Sequence, residues 1–213
     1  MKEITEEMLS ALRETILSKM SPKRFRHTVA VEDMAASLCA LYCPEETAKL
    51  RAAALLHDVT KELTLAEQVE LSESLGLAVK KSDLLSPKTF HARTAAAQIP
   101  LKFAEFSDPV IVEAVRWHTT GHAHMTLTEK LLYLADYIDL SRTFENCVIL
   151  RRYFWGAEPE KMNAEERDDL LCDTLLMSYD MTVRDLLSEG TPIAVDTMEA
   201  RNELLLEKSE RGN

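Results

Sequence analysis

Three times in this chain a helix-capping side chain stands three residues before a glutamate: Thr64 with Glu67, Thr126 with Glu129, and Asn163 with Glu166. At that spacing the cap oxygen accepts from the glutamate's backbone N–H while the carboxylate reaches back to the cap's own N–H. Each pair is therefore a local instruction to begin a helix. Other punctuation agrees. Thr5 precedes a stripe of Met8, Leu9, Leu12, Ile16 and Leu17, and Ser21-Pro22 and Asp108-Pro109 put proline just after a cap. Pro44 is expected to open a third helix leading through Leu50, Leu55 and Leu56, while Gly76, Gly121 and Gly190 sit where helices should stop. No stretch alternates as a strand would, and the β-branched Val110-Ile-Val112 lies inside a helical stripe. The expected fold is all-α.

At 213 residues the chain can bury one sizeable core. Pro159-Glu-Lys-Met-Asn163 reads as a linker, which divides the chain into a core unit, 1–158, and a C-terminal helical extension, 159–213. The extension is expected to be a hairpin of 164–189 and 196–209 packed on the core, because Leu170, Leu171, Leu175, Leu186, Leu204 and Leu205 need burial. Residues 209–213 should fray.

The N-terminus lacks the basic-then-apolar order of a signal peptide, and no apolar run approaches the roughly 20 residues of a membrane span. A cytoplasmic protein is the expectation. Cys39, Cys43, Cys147 and Cys172 are too scattered for a zinc pattern and read as free, mostly buried thiols. A formal charge of −11 argues against broad nucleic-acid binding. It leaves a small phosphate substrate open, because a bound metal cluster makes one pocket locally positive.

Ala54-Leu-Leu-His-Asp-Val-Thr-Lys61 places two metal-competent side chains, His57 and Asp58, directly after an apolar run. Neighbours on a helix point in different directions, so the pair needs partners from elsewhere. His27, His91, His118 and Asp136 supply them, each on a helix or at a helix end with apolar residues at i±3 or i±4. One such residue would be a hydrogen-bonded core group. Four histidines and two carboxylates on separate elements suit two divalent ions bridged by one carboxylate. His122 and His124 fall in a short connection, where a rim or surface role is the simpler reading.

The ordered set His27, His57-Asp58, His91, His118, Asp136 resembles the HD-domain phosphohydrolases, and more narrowly the YqeK family of symmetrical diadenosine tetraphosphate hydrolases. Arg24-Phe-Arg-His27, His118-Thr-Thr-Gly121, Ala135-Asp-Tyr-Ile138 with Arg142, and Thr197-Met-Glu-Ala-Arg-Asn202 support it over roughly residues 20–205. The chain departs from the family at Ile138-Asp-Leu140, where Ile-Glu-Pro is usual, and in its paired His122 and His124.

The resemblance implies a helical bundle holding two divalent ions, iron first, with manganese or others open. Asp58 would bridge them, with His27, His57 and Asp136 on one and His91 and His118 on the other. An activated water would attack the tetraphosphate and release two ADP. Asp58, Lys61 and Arg24 would carry catalysis, while Arg24, Lys61, Thr119, Thr120 and Arg142 would bind a dinucleoside polyphosphate. Neither nucleic acid nor membrane is an expected partner, and a homodimer stays open. Competing readings are another HD-type nucleotidase or phosphodiesterase, a nucleotide-binding regulator, and a purely structural helical protein.

Overall fold

The computed structural model describes residues 3–211. Among them the regular structure is helical: α1 (Glu6–Leu17), α2 (Pro22–Tyr42), α3 (Thr47–Leu56), α4 (Leu65–Ser74), α5 (Lys81–Leu84), α6 (Phe90–Lys102), α7 (Pro109–Trp117), α8 (Leu127–Ile138), α9 (Glu145–Gly156), α10 (Ala164–Ser188) and α11 (Val195–Arg211), joined by turns and short 3-10 segments. The all-α expectation holds. No helix among the described residues is long and apolar enough to cross a membrane.

The capping boxes form as the spacing requires, with Thr64, Thr126 and Asn163 each accepting from the N–H of its glutamate while the carboxylate returns the bond. Ser21 caps α2 ahead of Pro22, and Asp108 caps α7 ahead of Pro109. Pro44 opens a 3-10 turn rather than a helix, and α3 starts at Thr47. The expected fraying is absent at 209–211, where α11 continues; the rest of that expectation lies outside the described residues.

The core is one apolar cluster centred on α2, α3, α7 and α8. α3 buries Leu50, Ala52, Ala53, Ala54, Leu55 and Leu56, so it runs through the middle of the bundle and ends at the site. α10 packs along α9 and α8, and its tyrosine Tyr179 stacks on Tyr133 of α8 at 4.7 Å between ring centroids. α11 lies on α10 and buries Thr197, Ala200 and Leu204.

Two expected core leucines face outward. Leu17 is 50% exposed and Leu205 is 43% exposed. The inward faces of their helices are taken by Leu9, Leu12 and Ile16 in α1 and by Ala200 and Leu204 in α11; a residue next in sequence points off that face. The four cysteines are free and buried, as expected.

Candidate metal centre

α2, the turn after α3, α6, the end of α7 and the end of α8 converge on one buried cluster. His27 comes from the second turn of α2, His57 and Asp58 from the end of α3, and His91 from the first turn of α6. His118 caps the C-terminus of α7, and Asp136 lies in the last turn of α8. All six are buried or nearly so.

Asp58 stands at the middle. Its Oδ2 is 3.2 Å from His57 Nε2 and 3.6 Å from His27 Nε2; its Oδ1 is 3.3 Å from His91 Nε2 and 4.0 Å from His118 Nε2. The two oxygens thus face different pairs of histidines. Asp136 Oδ1 closes the first side, 3.0 Å from His27 Nε2 and 3.7 Å from His57 Nε2. On the other side, His91 Nε2 and His118 Nε2 approach to 3.0 Å. His27, His57 and Asp136 form one group able to hold an ion, and His57, Asp58 and His118 another.

Backbone contacts aim the rings. Nδ1 of His57 donates to the Ala54 carbonyl at 2.6 Å, and Nδ1 of His118 to the Val115 carbonyl at 2.6 Å. A helix-end carbonyl three residues back fixes the proton on Nδ1 and leaves Nε2 as a lone-pair donor. On the far side of His27, Nδ1 lies 3.3 Å from Ser141 Oγ and 3.3 Å from Asp139 Oδ2.

Electrostatics fit a cation. Burial works against ionising Asp58 and Asp136, yet His57 in the first case and the Arg142 guanidinium in the second hold the carboxyls well below the usual range. Burial pulls His118 down to about 4 and His91 well below the ordinary histidine value, so both rings are neutral at pH 7. Neutral imidazole and ionised carboxylate are the ligating forms.

Within this arrangement Nε2 of His57 is buried and makes no hydrogen bond, and Nε2 of His27, 3.0 Å from Asp136 Oδ1, is buried without a well-aligned one. A buried polar atom without a partner is costly, and both atoms point where an ion would give them one. Ligand atoms about 2.1 Å from a common ion stand roughly 3.0–3.4 Å from each other, close to the spacing around Asp58. The donor set of imidazole nitrogens and carboxylate oxygens suits iron, manganese or zinc.

The cations expected around the site are pinned to it. Arg24 Nη1 donates to Asp58 Oδ2 at 2.5 Å, and Arg142 bonds both the carboxylate and the backbone carbonyl of Asp136. Lys61 Nζ lies 3.2 Å from both ring nitrogens of His91. Burial lowers its pKa, with Asp58 opposing. Thr119 Oγ1 is 3.2 Å from Nε2 of both His91 and His118, whereas Thr120 turns its hydroxyl to the Gly121 carbonyl at 3.0 Å.

Beyond the cluster, His122 stacks against Trp117 at 4.5 Å and faces Glu129 at 3.4 Å, and the exposed His124 pairs with Glu203 of α11 at 2.5 Å. Asp139 and Ser141 had no assigned place in the sequence reading. Their signal was the i,i+3 spacing of Asp136 and Asp139 at the end of α8, which puts two carboxylates on one side of the helix.

Fold and centre together define an all-α protein with a buried histidine–aspartate cluster suited to divalent ions. Residues 24–141 match the HD domain family. The chain belongs to that family, and the match contains all six clustered residues. It is 29% identical over 191 residues to the symmetrical bis(5'-nucleosyl)-tetraphosphatase of Halalkalibacterium halodurans, covering 89% of this chain and 92% of that one. The protein of the same description from Bacillus subtilis is 28% identical over 202 residues, 94% and 97% of the two chains. A crystal structure described as a predicted HD superfamily hydrolase involved in NAD metabolism, from Clostridium acetobutylicum, superposes with a TM-score of 0.79 at 29% identity, covering 93% and 97%.

Proposed function

We propose that this chain hydrolyses dinucleoside polyphosphates at a two-ion centre and cleaves diadenosine tetraphosphate symmetrically to two ADP. The observation that carries the reading is Asp58, whose two oxygens face separate histidine pairs, the arrangement of a carboxylate that bridges two cations. The two relatives described as symmetrical tetraphosphatases supply the substrate class. In this reading His27, His57 and Asp136 would hold one ion and His91 and His118 the other, with Asp58 available to both. Iron and manganese both suit the donors.

When bound, the ions would supply the Lewis acidity that lets a water lose a proton near neutral pH. The chain's own cations complete the site. Arg24 and Arg142 keep 26% and 27% of their side chains exposed, so guanidinium charge beside the ligand carboxylates is open to an arriving phosphate. Lys61 brings a third positive group against His91, and Thr119 a hydroxyl beside both histidines. These groups neutralise charge as water attacks one central phosphorus and the anhydride bond to the other breaks. Residues 159–213 serve as an extension that backs the core.

Product analysis tests the reading. Metal-loaded protein given diadenosine tetraphosphate should yield ADP alone. ATP with AMP would mean asymmetric cleavage, and turnover of mononucleotides or NAD in its place would mean another phosphohydrolase of the same family. NAD belongs in the test because of the Clostridium acetobutylicum neighbour's description. Tight nucleotide binding without turnover would mean a regulator. His57→Ala and Asp58→Ala should lose both metal and turnover.

A further inference from the structure

Behind the turn that carries His57 and Asp58, three polar side chains close a hydrogen-bonded ring away from solvent. Thr60 is 3% exposed, Gln68 of α4 is 4% and Thr94 of α6 is 0%. Gln68 Nε2 donates to the Thr60 carbonyl at 2.5 Å, Thr94 Oγ1 donates to Gln68 Oε1 at 2.8 Å, and Thr60 Oγ1 donates to the His91 carbonyl at 3.0 Å.

The directions of these bonds follow from one another. A carbonyl can only accept, so the Gln68 amide must turn Nε2 to Thr60 and Oε1 to Thr94. Thr94 then spends its proton on Oε1, although its oxygen also lies 2.9 Å from Thr60 Oγ1. With that proton committed, Thr94 Oγ1 can only accept from Thr60, so the Thr60 hydroxyl is shared between Thr94 Oγ1 at 2.9 Å and the His91 carbonyl at 3.0 Å. The amide thus orients the Thr94 hydroxyl and, through it, the Thr60 hydroxyl that ties the turn to the start of α6.

α4 makes the ring notable, because its two buried residues are Gln68 and Ser72, both polar. A leucine at the inner position would anchor a helix by apolar burial alone; a glutamine must be satisfied to be tolerated there.

We infer that Gln68, acting through Thr94 and Thr60, is a positioning residue that sets the distance between Asp58 and His91 and thereby the affinity of the His91–His118 half of the centre for its ion. The ring bonds the His91 carbonyl directly and is two residues from Asp58, and the two side chains it spans stand 3.3 Å apart. Neither α4 nor α6 carries a residue of the His27–His57–Asp136 group. The inference rests on the two-ion reading above.

The test is manganese titration of metal-free protein, counting ions per chain by equilibrium dialysis and following spin coupling between paired ions by electron paramagnetic resonance. Wild type should bind two coupled ions. Gln68→Met and Thr60→Val keep the side-chain volumes and remove the hydrogen bonds. Each should keep one ion at wild-type affinity and bind the second about 10- to 100-fold more weakly, with the coupling lost. Thr60→Ser, which keeps the hydroxyl, should restore both. Two full-affinity ions in both variants, loss of both ions, or a Thr60→Ser protein as impaired as Thr60→Val would overturn the inference. Should Gln68→Met fail to fold, the two Thr60 variants decide. A wild type that binds fewer than two ions overturns the two-ion reading itself.

Discussion

Asp139 Oδ2 lies 3.3 Å from Nδ1 of His27, the ring nitrogen opposite the one that faces Asp136. The carboxylate is fully buried, and that oxygen makes no well-aligned hydrogen bond, standing 3.3 Å from Arg142 Nε as well. A carboxylate behind a ligating imidazole fixes ring orientation and raises its basicity. Asp139→Asn should therefore weaken ion binding by roughly 10- to 100-fold with little change in fold. Zinc or manganese titration beside a thermal melt measures both; unchanged affinity would remove Asp139 from the site.

The same histidine makes ion uptake depend on pH. Burial disfavours a charged His27, but Asp136 and Asp139 outweigh it and raise the metal-free pKa to about 9. A raised histidine stabilises the folded chain fully below its unfolded value near 6.5, and that contribution fades as pH climbs through about 9. An ion needs the neutral ring, so binding at pH 7.5 should release about one proton from this residue and tighten as pH rises toward 9. Indicator-dye titration in weak buffer reads the proton directly. No release at pH 7.5 would mean that His27 is not a ligand.

Gly121 should not tolerate a side chain. Its φ is +62°, and an added Cβ would stand 1.9 Å from the Tyr179 hydroxyl and 3.1 Å from Ala200. Left-handed backbone costs an alanine about 1 kcal/mol, and the overlap with a buried tyrosine adds to it. Gly121→Ala should lose about 2–4 kcal/mol. Combining it with Tyr179→Phe, which removes the clashing oxygen, should recover part of the loss. Denaturant melts of the single and double variants separate strain from overlap.

Lys61→Met removes a half-buried ammonium that lies against His91 and leaves all six proposed ligands in place. Turnover should fall by roughly 10²- to 10³-fold, the size of effect seen when one charge-stabilising donor is lost. Ions per chain should stay at the wild-type value. Steady-state kinetics and elemental analysis of the same sample check the two halves, and wild-type turnover would exclude a transition-state role for this lysine.

Much of the fold was legible because its instructions are local. The Thr64, Thr126 and Asn163 boxes each need only four consecutive residues, and each formed as written. The clustered residues were legible from polar side chains on apolar faces, where burial without a partner would be costly. Leu17 and Leu205 were misplaced because the stripe of an amphipathic helix has edges that composition does not mark. The bonds of Gln68 and the hold of Arg24 on Asp58 left no trace in the sequence, since an exposed-looking polar residue reads the same whether or not it meets a partner.

The sequence by itself determined where helices start and stop and which faces turn inward, because caps and periodicity act over one or two turns. It also placed His27, His57, Asp58, His91, His118 and Asp136 on inward positions. Only the tertiary structure decided that Asp58 turns one oxygen to His57 and the other to His91, and that Asp139 stands behind His27. Those relations depend on how α2, α3, α6, α7 and α8 pack against one another, and distances of that kind are set by the whole core rather than by any one segment.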